Sequence, residues 1–158
     1  MSKNSFLDAL TDSLPASVEV MWRQETGSTN DDLKTAARQT AFSHPVLLTV
    51  ERQNAGRGTH GRGWRMADLS VIFSLGLPLR KGLLIAPPGI LSIAAAMSIA
   101  QSASMASAEK VLVKWPNDIW TAGGKAGGIL IETVGDASGD RSVVIGAGLN
   151  LSIAPGGV

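Results

Sequence analysis

Cysteine is absent from the sequence, which excludes disulfide bonds, thiolate zinc sites and cysteine nucleophiles. An excess of one charge is also lacking, because 14 Lys and Arg residues oppose 13 Asp and Glu residues and leave a formal net charge of +1. No overall electric field therefore attracts the chain to nucleic acid or to a membrane. The N-terminal segment 1–10 lacks the long apolar core of a signal peptide. We expect a cytoplasmic protein.

Hydrophobic residues make up 44% of the 158 positions, which suffices for one domain with a substantial core. The longest apolar region, residues 83–106, has Pro87, Pro88 and Gly89 near its start and Ser and Gln throughout. We interpret it as a buried core helix and not as a membrane span. Apolar residues at helical spacing are predicted to pack on a sheet: Ile90, Ile93, Ala94, Met97 and Ala100.

Strand and turn signals dominate the chain. Apolar periodicity and turn residues predict helices over 4–12, 29–40 and 88–104, and strands over 18–22, 46–52, 69–77, 111–113, 119–121, 125–132 and 142–151. This order is not the regular alternation of a parallel α/β fold. We therefore predict an α+β fold, with a mixed, largely antiparallel sheet, helices packed on one face, and a site on one sheet face.

The loop 51–64 follows an apolar strand and contains four glycines, with Arg57 and Arg62 between them. Glycine lets main-chain N–H groups approach a ligand, and arginine offers a planar fork of donors to carboxylate or phosphate. The loop is therefore either an anion cradle or a solvated basic turn. Its glycines spell G-x-G-x-x-G, but a strand follows where a dinucleotide site needs a helix. Neither a Rossmann site nor a Walker A loop is predicted.

The stretch 27–32 has both a structural and a functional interpretation. Ser28 or Thr29 could cap the following helix, with Asp31 and Asp32 in its first turn, where the helix dipole favours carboxylates. Alternatively, spare hydroxyl and N–H groups at this helix start bind a polar ligand.

Two later stretches also have both a structural and a functional interpretation. Asn117 and Asp118 form a plain turn, or a carboxylate beside a carboxamide that holds magnesium and phosphate. Lys125 is either solvent-exposed at a strand start or part of a site. Gly127 and Gly128 mark a bulge or a close approach by another group.

Five segments in this order resemble the catalytic domain of biotin protein ligases: 27–30, 53–64, 114–118, 125–132 and 145–150. The resemblance covers most of the chain and is highly specific. It implies a biotin/lipoate ligase-like, class II synthetase-like fold. It also implies that biotin attacks the α-phosphate of ATP to give biotinyl-5′-AMP. A lysine of a biotin carboxyl carrier protein or domain, in acetyl-CoA carboxylase or a related carboxylase, then takes the biotin.

The resemblance also implies roles for single residues. Arg57 and Lys125 are the expected catalytic residues, because they bring positive charge to the biotin carboxylate and the α-phosphate. The expected biotin-binding residues are Ser28, Thr29, Asn30, Gln53, Gly56, Arg57, Gly58, Thr59, Lys125, Gly128 and Gly148. The expected ATP-binding residues are Arg57, Trp64, Asn117, Asp118, Lys125 and Asn150, with Asp118 also a ligand of Mg²⁺.

Two features depart from the family pattern. The family usually has a basic residue after the second loop glycine, where this chain has Thr59, so we expect faster release of the adenylate. The family also continues into further helices and a small C-terminal barrel, whereas this sequence ends at Val158. We expect one catalytic domain over residues 1–158, incomplete at its C-terminal end, without a DNA-binding domain or the barrel. The resemblance also allows a homodimer through sheet edges.

Three alternatives remain. A lipoate-type ligase shares the fold and the adenylation chemistry, although Gln53 and the segment 114–118 favour biotin. A truncated, inactive remnant would bind biotin without turnover. An RNA-binding module using the basic loop is disfavoured by the near-neutral charge and by an aromatic content of 4%. We therefore expect no nucleic-acid or membrane partner.

Overall fold

The computed structural model describes residues 3–79, 87–107 and 109–152. Its helices are α1 (Lys3–Asp12), α2 (Thr29–Gln39) and α3 (Pro88–Ala106), with a short 3₁₀ turn at Thr59–Gly61. Its strands are β1 (Glu19–Thr26), β2 (Val46–Gln53), β3 (Ser70–Leu79), β4 (Leu112–Lys114), β5 (Asp118–Thr121), β6 (Gly124–Gly135) and β7 (Arg141–Asn150). The predicted elements are thus present, with ends that differ by a few residues.

The seven strands form one sheet in the order β1-β2-β3-β7-β6-β5-β4. Only β1 and β2 are parallel, and every other neighbouring pair is antiparallel. The predicted mixed, largely antiparallel sheet is therefore confirmed. The strand β3 continues through Pro78, where we had expected it to end. It can do so because the pairing with β2 ends at Gly76, so the missing N–H of Pro78 leaves no donor unpaired on that side.

The helices do not share one face of the sheet, and this corrects the prediction. Leu33 and Ala37 of α2 pack in a cluster with Val144 of β7. Ala96 of α3 packs in a second cluster with Ala147 of the same strand, next to the partly buried Ile145. Since neighbouring residues of a strand point to opposite faces, α2 and α3 cover opposite sides of the sheet.

The buried face of α3 also differs from the predicted stripe. Ala96 and Ala100 are buried, whereas Ile90 and Met97 are 55% and 59% exposed. The helix is apolar or small on nearly every side, so its sequence has no polar face that could define the buried one. By length and composition alone, Gly89–Ala106 could cross a membrane. One such helix is weak evidence for a membrane span. The predicted buried core helix is nevertheless corrected, because only 17% of this window is buried inside the structure.

Candidate active site

A cavity of about 320 Å³ opens on the α2 side of the sheet, between the loop after β2 and the strands β5, β6 and β7. Every predicted site residue except Gly56 lines it. The predicted residues at the wall are Ser28, Thr29, Asn30, Gln53, Arg57, Gly58, Thr59, Trp64, Asn117, Asp118, Lys125, Gly128, Gly148 and Asn150. Segments more than a hundred positions apart in the chain therefore meet at one place.

The N-terminus of α2 forms one wall of the cavity. Ser28 is the N-cap, and its hydroxyl accepts a hydrogen bond from the N–H of Asp31 at 3.4 Å. The N–H of Thr29 donates to Gln53 Oε1 at 2.7 Å, and its hydroxyl donates to the same oxygen at 3.0 Å. The carbonyl of Gln53 is therefore occupied by the helix start. Its amide nitrogen has no hydrogen-bond partner in the described parts of the chain.

Asn30 fastens α2 to the sheet beneath it. Its Oδ1 accepts from the hydroxyl of Ser74 at 2.6 Å, and its Nδ2 donates to Leu130 O at 3.3 Å and to Glu132 Oε2 at 3.0 Å. A Cβ at Gly146 would lie 2.1 Å from Asn30 Oδ1. The carboxamide thus occupies space that only a glycine leaves open. Asn30 lines the cavity, but these contacts assign its side chain to holding the helix in place.

Arg57 lies in a cluster of four charged groups. Its Nε donates to Asp31 Oδ2 at 2.9 Å, its Nη2 donates to Asp31 Oδ1, and Nη2 also reaches Glu132 Oε2 at 3.2 Å. Lys34, 12% exposed, completes the cluster at 2.6 Å from Glu132 and 3.1 Å from Asp31. Two carboxylates and two cations therefore face each other at this wall.

The cluster shifts the pKa of three of its members. The hydrogen bond to Asp31 raises the pKa of Arg57. Burial alone would raise the pKa of Asp31, but hydrogen bonds from Arg57 and Lys34 outweigh it and hold the value below its usual range. Burial likewise opposes the shift of Glu132, whose pKa is lowered by hydrogen bonds from Lys34 and Asn30. Both carboxylates are ionised at neutral pH.

The second predicted cation lines the same cavity, at the start of β6. Lys125 Nζ donates to Asp118 Oδ1 at 2.7 Å, and both side chains are about a quarter exposed. Asn117 is tied to the sheet, because its Nδ2 donates to Ile129 O at 3.0 Å and its carbonyl accepts from the N–H of Ile129 at 2.9 Å. A Cβ at Gly128 would have its nearest neighbour, Asp118 Oδ1, at 3.7 Å. Gly128 therefore leaves room at the cavity wall.

Trp64 covers the floor of the cavity at β7. A Cβ at Gly148 would lie 2.7 Å from Trp64 Cε2, so the ring rests directly on this glycine. The indole N–H is buried and has no hydrogen-bond partner among the residues that the structure describes. Gly56 lies behind the same ring, since a Cβ there would lie 3.2 Å from Trp64 Cβ and 3.0 Å from Gln53 Nε2. Gly56 thus does not line the cavity, but it lets the loop close against Trp64 and Gln53.

The carboxamide of Asn150 forms hydrogen bonds within the protein. Its Oδ1 accepts from the N–H of Ala67 at 3.1 Å and from the hydroxyl of Ser70 at 2.8 Å, and its Nδ2 donates to Arg65 O at 3.2 Å. Both lone pairs of Oδ1 are engaged. The residue therefore holds the loop 65–70 against the end of β7.

Sequence reasoning missed several residues of the site. Arg62 and Arg65 line the cavity, and Arg62 donates to the carbonyl and hydroxyl oxygens of Thr59 at 3.4 and 3.3 Å. Glu132 and Lys34 were also missed, and Asp31 was interpreted only as a helix-dipole residue. A carboxylate that follows the apolar run 129–131 was the available signal for Glu132. Its partners lie far away in the chain, so the sequence did not identify them.

Known proteins are similar in sequence to this chain over most of its length. Residues 22–150 match the model of the biotin/lipoate A/B protein ligase family. The chain is 39% identical over 143 residues to a biotin–[acetyl-CoA-carboxylase] ligase of Mycobacterium tuberculosis, covering 85% of this chain and 52% of the relative. It is 37% identical to the protein of the same name from Paracoccus denitrificans, covering 82% and 53%. The chain spans about half the length of these curated relatives.

Solved structures show the same architecture. The biotin protein ligase of Leishmania major in complex with biotin superposes with a TM-score of 0.61 at 30% identity, covering 90% of this chain and 59% of that chain. A biotin acetyl coenzyme A carboxylase synthetase of Helicobacter pylori has a TM-score of 0.67 at 23% identity, covering 89% and 64%, and supports the fold alone.

Proposed function

Because the chain belongs to the biotin/lipoate A/B protein ligase family, we propose that it is the catalytic domain of a biotin–protein ligase. It would join biotin to ATP, with release of pyrophosphate, and pass the biotin from biotinyl-5′-AMP to a lysine. The acceptor would be a biotin carboxyl carrier protein or domain of acetyl-CoA carboxylase or a related carboxylase. The names of the two bacterial relatives support this choice. The need for ATP fits a cytoplasmic location.

One observation carries the proposal. Arg57, Lys125 and Gln53, which come from three separate segments, line a single cavity. A carboxylate that attacks a phosphate is an anion approaching a polyanion, so the reaction needs positive charge fixed where negative charge builds up. Arg57 and Lys125, which line the same cavity, would supply this charge. A solvated basic turn would not require them to converge.

Gln53 suits the ureido head of biotin. Its carbonyl oxygen is held by the N–H and hydroxyl of Thr29, so its amide nitrogen is left as a donor. A ureido carbonyl needs neutral donors of this kind. Ser28 and Thr29 would complete the polar end of the biotin site.

In the first step, a carboxylate oxygen of biotin would form a bond to the α-phosphorus of ATP, and pyrophosphate would leave with the bonding electrons. Arg57 would hold the carboxylate, and Lys125 would neutralise charge on the α-phosphate. In the second step, the amine of the acceptor lysine would attack the biotin carbonyl carbon and release AMP. No nucleophile of the enzyme takes part, in agreement with the absence of cysteine.

Nucleotide binding would use the part of the cavity next to Trp64. Trp64 would cover the adenylate, while Asn117 and Asn150 would support the strand ends beneath the nucleotide. Among the residues described, no group of three His, Asp or Glu side chains could hold a metal ion. Mg²⁺ would therefore enter as part of the ATP substrate, bound mainly by phosphates, with Asp118 as a single protein carboxylate.

Two copies could pair along β1, which has one neighbouring strand in the described sheet.

The decisive experiment measures pyrophosphate release by the wild-type protein in the presence of ATP and biotin. We expect release with biotin and none with lipoate. The Lys125→Ala variant should reduce the rate by on the order of 10²–10³, the usual effect of removing one charge-stabilising contact. Lys110→Ala, an exposed lysine that is not part of the cavity wall, is the matched control and should behave as the wild type.

Three outcomes would contradict the proposal. Release that depends on lipoate instead of biotin would identify a lipoate-type ligase. Biotin binding without pyrophosphate release would identify an inactive remnant. Full activity of Lys125→Ala would show that the reaction does not depend on the positive charge that Lys125 brings to the cavity.

A further inference from the structure

The guanidinium group of Arg57 is already occupied in the absence of ligand. Its side-on fork, formed by Nε and Nη2, holds both carboxylate oxygens of Asp31. Glu132 lies 3.2 and 3.4 Å from the same Nη2. Nη1 has no hydrogen-bond partner in the described portion of the chain. An incoming carboxylate or phosphate thus meets an arginine whose best binding edge is filled.

The local charge is balanced as well. Arg57 and Lys34 carry two positive charges, and Asp31 and Glu132 carry two negative charges, all within hydrogen-bond contact. The cluster is therefore neutral as a whole, and it offers a ligand anion little net attraction at a distance. An anion gains the charge of Arg57 only when one of the carboxylates gives way.

Asp31 is the carboxylate that can give way. Its side chain is 47% exposed, whereas that of Glu132 is 22% exposed. Glu132 is also fixed by Lys34 at 2.6 Å and by Asn30 at 3.0 Å. On leaving Arg57, Asp31 would keep Lys34 at 3.1 Å and its place in the first turn of α2, where the helix dipole favours a negative charge. Its displacement therefore costs little.

We propose that Asp31 sets the affinity of this site for anionic ligands, because it fills the fork of Arg57 until a ligand carboxylate or phosphate displaces it. Within the proposed function, on which this inference rests, the displacing group is the carboxylate of biotin. Asp31 acts through Arg57 and does not itself contact the reacting atoms. Removing its charge, as in Asp31→Asn, should leave Arg57 in place, still next to Glu132, with only a neutral amide oxygen competing for its fork and with a net positive cluster.

Calorimetric titration of the wild type and of Asp31→Asn tests this inference. Three ligands are compared: biotin, its uncharged amide, and inorganic pyrophosphate. A pair as exposed as Arg57 and Asp31 changes an equilibrium constant by up to about fivefold. We therefore expect Asp31→Asn to bind biotin about three- to fivefold more tightly and to bind biotinamide unchanged. Pyrophosphate should shift in the same direction as biotin.

The matched control is Asp32→Asn. Asp32 is the neighbouring acid in the same first turn, but its partners are Arg23, whose Nη1 donates to it at 2.7 Å, and the hydroxyl of Thr26, so it does not occupy the fork of Arg57. The control should bind all three ligands as the wild type does. Asp31→Ser provides a second charge-removing variant if Asp31→Asn is unstable.

Each outcome decides the inference. Equal or weaker binding of biotin by Asp31→Asn would overturn it and would leave the proposed function intact. Equal tightening of biotinamide would also overturn it, because the effect would then not involve the ligand charge. If biotin binds to no variant while pyrophosphate binds more tightly to Asp31→Asn, the inference stands and the proposed function fails. If no ligand binds to any variant, both are wrong.

Discussion

Replacing Gly146 by alanine should destabilise the protein strongly, although it adds a single methyl group. The new Cβ would lie 2.1 Å from Asn30 Oδ1 and 2.8 Å from Asn30 Cγ. Asn30 is 4% exposed, and Ser74, Leu130 and Glu132 all bind its carboxamide. The side chain therefore cannot turn away without losing buried hydrogen bonds.

The magnitude follows from two costs and one gain. Overpacking a tight core costs about 1–3 kcal/mol. Leaving a buried donor or acceptor unsatisfied costs about 1–3 kcal/mol more. The alanine recovers roughly 0.5–1 kcal/mol through lower backbone entropy in the unfolded chain. We therefore expect Gly146→Ala to lower the free energy of unfolding by about 1–5 kcal/mol, and Tm by roughly 2–20 °C.

Gly128→Ala is the matched control, on the same face of the neighbouring strand. Its Cβ would meet nothing closer than 3.7 Å, and neither glycine has a positive φ. Its free energy of unfolding should stay within about 0.5 kcal/mol of the wild type, or rise slightly. Urea unfolding followed by circular dichroism measures all three proteins. Equal stability of the two variants would refute the view that Asn30 is locked against Gly146.

Two further predictions concern the pH dependence of stability and the role of Thr59 in the loop after β2. The lowered pKa values of Asp31 and Glu132 stabilise the fold above their unfolded values of about 3.9 and 4.3, and this stabilisation is lost as the pH falls through the lower folded values. Urea unfolding from pH 6 to pH 3 should thus show a shallower loss for the double variant Asp31→Asn/Glu132→Gln than for the wild type, and parallel curves would disprove the pairing. Thr59→Arg should slow the release of biotinyl-AMP by adding a cation at the loop, measured by dissociation of labelled adenylate. Identical dissociation rates would show that Thr59 does not speed the release of the adenylate.

The local features of the site could be predicted from sequence. Ser28 as a helix cap, the glycine-arginine loop after β2, and the lysine at the start of β6 each depend on short-range patterns. Hydrogen bonding within a turn or a cap involves residues a few positions apart, so it can be predicted from the local sequence. The order of strands and helices also sufficed to predict the mixed sheet, and the resemblance carried by five motifs identified many of the residues around the cavity.

Tertiary structure alone decided how the charges pair and which side each helix covers. Arg57 meets Asp31 26 positions away and Glu132 75 positions away, and no local pattern links them. The sequence shows that a side chain is charged but not which opposite charge it contacts. That contact depends on how the fold places distant strands next to each other. The surface of α3 is apolar on nearly every side, so almost any of its faces could pack on a sheet. Its contacts with β4, β5 and β6 determine which face is buried.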